Sequence, residues 1–217
     1  MRYVADQIKR LPCKDGSPPT VNVLDESREA LRLQLQTLGI TDEALLCDLS
    51  KLAKFRDVQK DEVIIGAGQL PTQFFVVLKG LVRYYYLSPN GKEWNKAFFH
   101  EGRLIGSLSS FLRRKPCTYT IAALEPSSLA AFPVSIFETG FQANAQLQQL
   151  LNRYVQDIML RNEQREAVLL TCDSEARYLW LLEHQQWLVA RVPQYHLASY
   201  LGMEPASLSR LKRLIDR

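Results

Sequence analysis

The 217-residue sequence predicts an α+β chain in which a run of short strands is followed by helices. Three observations carry the prediction. Apolar and aromatic runs broken by Gly and Pro fill residues 63–132, and no Gly or Pro interrupts Gln142 to Asp173. The closing segment, YHLASYLGMEPASLSRLKR, has the spacing of two short helices crossing over a tight turn. A net charge of +4 is mildly basic and does not by itself imply nucleic acid.

Residues 1–27 contain Pro12, Gly16, Pro18 and Pro19 with little periodicity, and are read as an N-terminal extension. Leu31, Leu35 and Leu38, then Leu45, Leu46, Leu49 and Leu52, fall at helical spacing. They predict two short helices between Arg28 and Phe55, the second capped by Thr41. The period then changes. Val63 to Ile65, Phe74 to Leu78, Leu81 to Leu87, Trp94 to Phe99, Leu104–Ile105, Tyr119 to Leu124 and Ser128 to Phe132 are short runs separated by turn residues. They predict an antiparallel β-sandwich or barrel within residues 28–140. Asn90-Gly91 predicts a hairpin with both residues at positive φ.

From Phe137 the pattern is helical. Residues 141–172 permit one long unbroken helix. Leu147, Leu151, Tyr154, Ile158 and Val168 are read as a seam for a partner helix, the alternative being the chain's own sheets. Asp173 or Ser174 caps the next helix, which leads through Trp187-Leu188-Val189 to the closing segment, so residues 173–217 form the last unit.

In that segment Ala198 and Gly202 leave room for a close crossing, while Leu197, Leu201, Leu208 and Leu211 pin the pair. Pro205 suits a first helical position. Ser207, Ser209, Arg210, Lys212 and Arg213 then line the second helix. A core hairpin would not need that polar, basic face; a helix-turn-helix entering the major groove of double-stranded DNA would.

Other classes are disfavoured. The start lacks an apolar signal core and no apolar run is long enough to span a bilayer, so a cytoplasmic protein without membrane contact is expected. Cys13, Cys47, Cys117 and Cys172 are scattered and His100, His184 and His196 are isolated, so neither a metal nor a cofactor is expected. There is no nucleophile–base pair, and Gly66-Ala67-Gly68 lacks the rest of a dinucleotide fingerprint. An enzyme is not expected.

FFVVLKGLVRYYYLSPNGKEW, EGRLIG, DSEAR at 173–177 and YLGMEPASLSRLKR, in that order, resemble the cyclic-AMP receptor protein/FNR (Crp/Fnr) family of bacterial transcription regulators. The resemblance covers about Leu31 to Arg217. It implies a cyclic-nucleotide-binding-type β-roll (a double-stranded β-helix or jelly roll), a long dimerisation helix and a C-terminal helix-turn-helix head. It implies a homodimer paired through the long helix on pseudo-palindromic operators, with RNA polymerase and a small-molecule effector as further partners. The chain stops at Arg217, so little or no C-terminal wing is expected.

Arg210 matches the family's base-reading Arg; a bidentate grip on guanine is worth ~1–3 kcal/mol of discrimination. Ser209 matches a base-contacting Ser and Ser207 a phosphate-contacting residue. Ala206 replaces a frequent Glu, which implies a different half-site. Lys212 and Arg213 would hold phosphates.

Cyclic-nucleotide-binding members carry a Glu after the cassette Gly and, about ten residues on, an Arg before Ser or Thr. Here Ser107 follows Gly106, and Cys117 precedes Thr118. Losing a charge-assisted bond worth ~1.5–3 kcal/mol lowers affinity by roughly one to two orders of magnitude, so cyclic AMP is not the expected effector. Arg113, Arg114 and Lys115 lie nearby, as a substitute or a solvated turn. Asn162 and Glu163 are candidate pocket residues on the long helix. A sensing or protein-interaction module without DNA binding stays open as the alternative.

Overall fold

The computed structural model describes residues 23–136 and 144–215. The expected extension lies outside these residues up to 22, and α1 (Val23–Thr37) already begins ahead of its boundary at 27. The start expected at Phe137 for the long helix also lies outside them. Helix α2 spans Glu43–Leu52. Its cap is Asp42, not Thr41: the Asp42 carboxylate accepts from the Leu45 N–H at 3.0 Å. Thr41 instead ties to the long helix, where Gln146 Oε1 accepts from its N–H at 2.9 Å.

Eight strands follow among the described residues: β1 (Lys54–Val58), β2 (Val63–Ile65), β3 (Gln73–Lys79), β4 (Val82–Leu87), β5 (Glu93–Phe99), β6 (Leu104–Ile105), β7 (Thr120–Ala123) and β8 (Ser127–Pro133). They form two antiparallel four-stranded sheets, ordered β1-β8-β3-β6 and β2-β7-β4-β5. The sandwich is as expected, but β1 begins inside the stretch read as helical, with Lys54 and Phe55. Phe55 pairs with Ala130 there, because Ala53 turns the backbone extended straight after α2.

Strand β3 explains why FFVVL reads as a continuous apolar run. Phe75 and Val77 point between the sheets with Val82, Tyr84, Phe99 and Leu129. Phe74 and Val76 point to the outer face, where Leu31, Leu46, Leu147 and Tyr154 cover them. A strand buried on both faces loses polar alternation. At the hairpin only Gly91 takes positive φ (+80°); Asn90 does not. The loop closes through the Gly91 N–H to the Ser88 carbonyl at 2.9 Å.

Helix α3 (Leu108–Arg113) sits between β6 and β7, and the long helix α4 (Ala145–Thr171) runs 27 residues from its Asn144 cap. Of the expected partner seam, Leu147, Tyr154 and Val168 are buried, and Leu151 and Ile158 are partly buried against the cluster on the chain's own sheet. The exposed apolar positions of α4 are Val155, Met159, Leu160 and Leu170 instead.

Helices α5 (Ser174–His184), α6 (Gln186–Arg191), α7 (Gln194–Tyr200) and α8 (Pro205–Ile215) form the C-terminal head. Asp173 caps α5, accepting from the Ala176 N–H at 2.9 Å. The head shares a core with the sandwich: Leu81, Phe98 and Leu124 pack with Tyr178, Leu181, Leu188, Leu197 and Leu208. It is docked on the β-roll of its own chain.

Candidate functional site

Helices α7 and α8 meet over Leu201–Glu204. Gly202 sits at φ +67°, a region that disfavours any side chain with a Cβ, and the Met203 N–H reaches back to the Ala198 carbonyl at 3.0 Å. Ala198 is fully buried at the crossing, and Leu208 anchors α8 from below. Arg177, within the DSEAR segment, clamps the turn to the spine. Its Nη1 donates to Leu201 O at 3.2 Å, Nη2 to Leu169 O at 2.8 Å and Nε to Cys172 O at 3.0 Å.

With Leu208 turned inward, the opposite face of α8 is open. Ala206, Arg210 and Arg213 are exposed, while Ser207, Ser209 and Lys212 are half-buried. Pro205 is the first helical residue, as its fixed φ suggests. All six sequence-predicted interface residues therefore lie on one short helix, with Arg210 unshielded by the rest of the molecule.

A polar cluster that sequence reasoning missed fixes the docked head. The Asn95 N–H donates to Ser199 Oγ at 2.9 Å, and that hydroxyl donates to Glu93 O at 2.7 Å. Asn95 Nδ2 donates both to His196 Nδ1 and to His196 O, each at 3.1 Å. Nδ1 is thus the acceptor, which leaves the neutral ring's proton on Nε2, a buried atom without a partner among the described residues. Burial, reinforced by Arg83, lowers the His196 pKa from 6.5 to about 4. Arg165 Nη2 adds bonds to Asn95 O and Tyr200 O, each at 3.0 Å. Arg191 bridges Glu101 and Glu125, and the bonds from its guanidinium lower the Glu101 pKa to about 2. Lys92 of the hairpin pairs with Glu204, next to the first residue of α8. The sequence signal was polar residues inside apolar runs: Asn95 in WNKAFF and His196 in YHLASY.

The predicted effector residues separate. Gly106, Ser107 and Cys117 are brought together and sealed. Tyr84 Oη accepts from the Gly106 N–H at 2.7 Å and lies 3.1 Å from its carbonyl, which Tyr154 also approaches at 3.3 Å. A Cβ on Gly106 would come within 2.3 Å of the Phe74 ring. Ser107 is 1% exposed and bonds Ser110 at 2.8 Å, and it also bonds Tyr119. Cys117 Sγ donates to Tyr119 O at 3.0 Å. Tyr84 and Tyr119 stack at 5.2 Å between them, and burial raises the Tyr119 pKa to about 12. By contrast Thr118 and Glu163 are exposed and Asn162 is half-buried. Arg113, Arg114 and Lys115 are exposed too.

Cations do reach this end of the roll by another route. Lys96 lies over the Tyr86 and Tyr119 rings at 5.7 and 5.8 Å, its pKa lowered by burial and then by Arg161 and Arg165. Among the described residues no cluster of His, Cys, Asp or Glu could hold a metal, and no helix is long and apolar enough to cross a membrane.

Residues 55–144 match the cyclic nucleotide-binding domain family. The chain is similar in structure to FixK2 from Bradyrhizobium japonicum, with 21% identity, 76% of this chain and 84% of that one covered, and a TM-score of 0.67. It is also similar to CLP, the c-di-GMP responsive global regulator of Xanthomonas campestris, with 14% identity, 81% and 92% covered, and a TM-score of 0.68. CooA from Carboxydothermus hydrogenoformans gives 17% identity, 84% of both chains and a TM-score of 0.67. No curated protein matches the chain by sequence. Residues 55–144 thus carry the family match, and these solved structures share this chain's fold, a β-roll joined by a long helix to a C-terminal helical head.

Proposed function

We propose that this chain is a DNA-binding transcription regulator, not an enzyme, acting as a homodimer on pseudo-palindromic operators. One observation carries the reading: α8 buries Leu208 and turns Ala206, Arg210 and Arg213 to solvent. Arg210 reads a base edge, Ser209 and Ala206 flank it in the groove, and Ser207, Lys212 and Arg213 hold phosphates. The test compares Arg210→Ala with Lys212→Ala on operator and scrambled DNA. Arg210→Ala should lose ~10–100-fold on operator and little on scrambled DNA, and Lys212→Ala should weaken both alike. Equal losses for both variants on both DNAs would sink the assignment. No binding by gel shift would favour an interaction module.

Dimerisation runs along the exposed stripe of Val155, Met159 and Leu170, which faces away from the β-roll. Two heads then meet half-sites ~34 Å apart. Met159→Glu should give a monomer in sedimentation and weaken operator binding. The β-roll does not answer to cyclic AMP, because Gly106 is closed by the Tyr84 hydroxyl, Ser107 by Ser110 and Cys117 by the Tyr119 carbonyl. Sub-micromolar cyclic-AMP binding in calorimetry would overturn this.

A further inference from the structure

A cavity of about 470 Å³ lies in the notch where the end of β5, the long helix and the head meet. That volume is in the range of small-molecule sites. None of Gly106, Ser107, Cys117, Thr118, Asn162 or Glu163 lines it, so it is separate from the cassette.

Its walls combine two chemistries. Leu150 and Trp187 belong to an apolar, partly aromatic side. Three guanidinium groups, Arg103, Arg153 and Arg161, also line the cavity, against a single carboxylate, Asp157. Asp157 approaches only Arg103, at 3.9 Å, with both side chains more than half exposed. Among the described residues no ion pair neutralises Arg153 or Arg161. Arg161 is held 4.8 Å from the Phe99 ring centre, and its enclosed Nε has no hydrogen-bond partner there. A donor sealed away from water without an acceptor is destabilising until one arrives. Two uncompensated guanidinium groups beside an aromatic wall call for a ligand with a charged end and an apolar body.

We propose that this notch binds a small amphipathic anion: a carboxylate, sulfonate or phosphate ester carried on an aromatic or apolar body. The inference goes beyond the DNA-binding reading and does not depend on it. The β-roll, the spine and the head each contribute a wall, so the bound anion touches all three.

The test uses the full chain and two probes with one ring skeleton, 8-anilinonaphthalene-1-sulfonate and the uncharged N-phenyl-1-naphthylamine, titrated by fluorescence. The sulfonate should saturate one site per chain and bind at least about tenfold tighter than the neutral probe. Arg153→Ala and Arg161→Gln should each weaken sulfonate binding about tenfold and leave the neutral probe unchanged. Asp157→Asn should tighten it about two- to fivefold, since it removes the one opposing charge. Arg153 and Asp157 are exposed, so both variants should fold, with circular dichroism as the check. Equal affinity for the two probes, or sulfonate binding unchanged by both Arg153→Ala and Asp157→Asn, overturns the proposal.

Discussion

Helix α8 and the cassette around Gly106 are the two most recognisable pieces of this chain, and they end up in opposite states. Helix α8 buries one leucine and leaves its basic face open. The cassette closes every polar atom it brings together, through Tyr84, Tyr154, Ser110 and Tyr119. Functional side chains on an exposed helix face cost the fold little, so they stay free for a partner. The polar groups buried around Gly106, by contrast, must find their partners inside the protein.

Four predictions bear on that contrast. Leu208→Ala, at the one fully buried position of α8, should cost ~2–5 kcal/mol in denaturant unfolding, because the head loses its anchor. Gly106→Ala should cost ~1–3 kcal/mol, since the new methyl meets the Phe74 ring; a neutral result would mean that the cassette is looser than its contacts imply. A smaller effect should appear with pH. His196 binds its proton at 6.5 when unfolded and at about 4 when folded, so the unfolded chain takes the proton first. Stability is full above pH 6.5 and should fall as pH drops toward about 4. His196→Gln should flatten the melting temperature over that window. Glu101 is depressed from 4.5 to about 2 and acts lower: its contribution is present above pH 4.5 and lost toward about 2. Arg210→Ala should change unfolding stability by less than ~0.5 kcal/mol, even where it removes operator binding. A large loss of stability there would erase the distinction between the two regions.

Local chemistry was legible where it acts over a few residues. The runs that became β2 to β8, the Asp173 cap, Gly202 in its turn and Pro205 at the start of α8 all follow from side-chain size, backbone freedom and period. The open face of α8 was legible for the same reason, because helical spacing alone places Ala206, Arg210 and Arg213 opposite Leu208. Where two burials compete, period alone does not decide. Leu147, Tyr154 and Ile158 have a helical period that suits a partner helix or the chain's own sheet, and the outer face of β3 claimed them. Phe55 continued a helical pattern yet joined β8.

By itself, then, the sequence determined the order of elements and the open basic face of α8, since each is written in neighbouring residues. Only the tertiary structure decided that the head docks on the β-roll through Asn95, His196 and Arg165, that tyrosines close the cassette, and that three arginines converge on one notch. These arrangements join residues tens of positions apart, and such pairings depend on how whole elements pack, which no local period encodes.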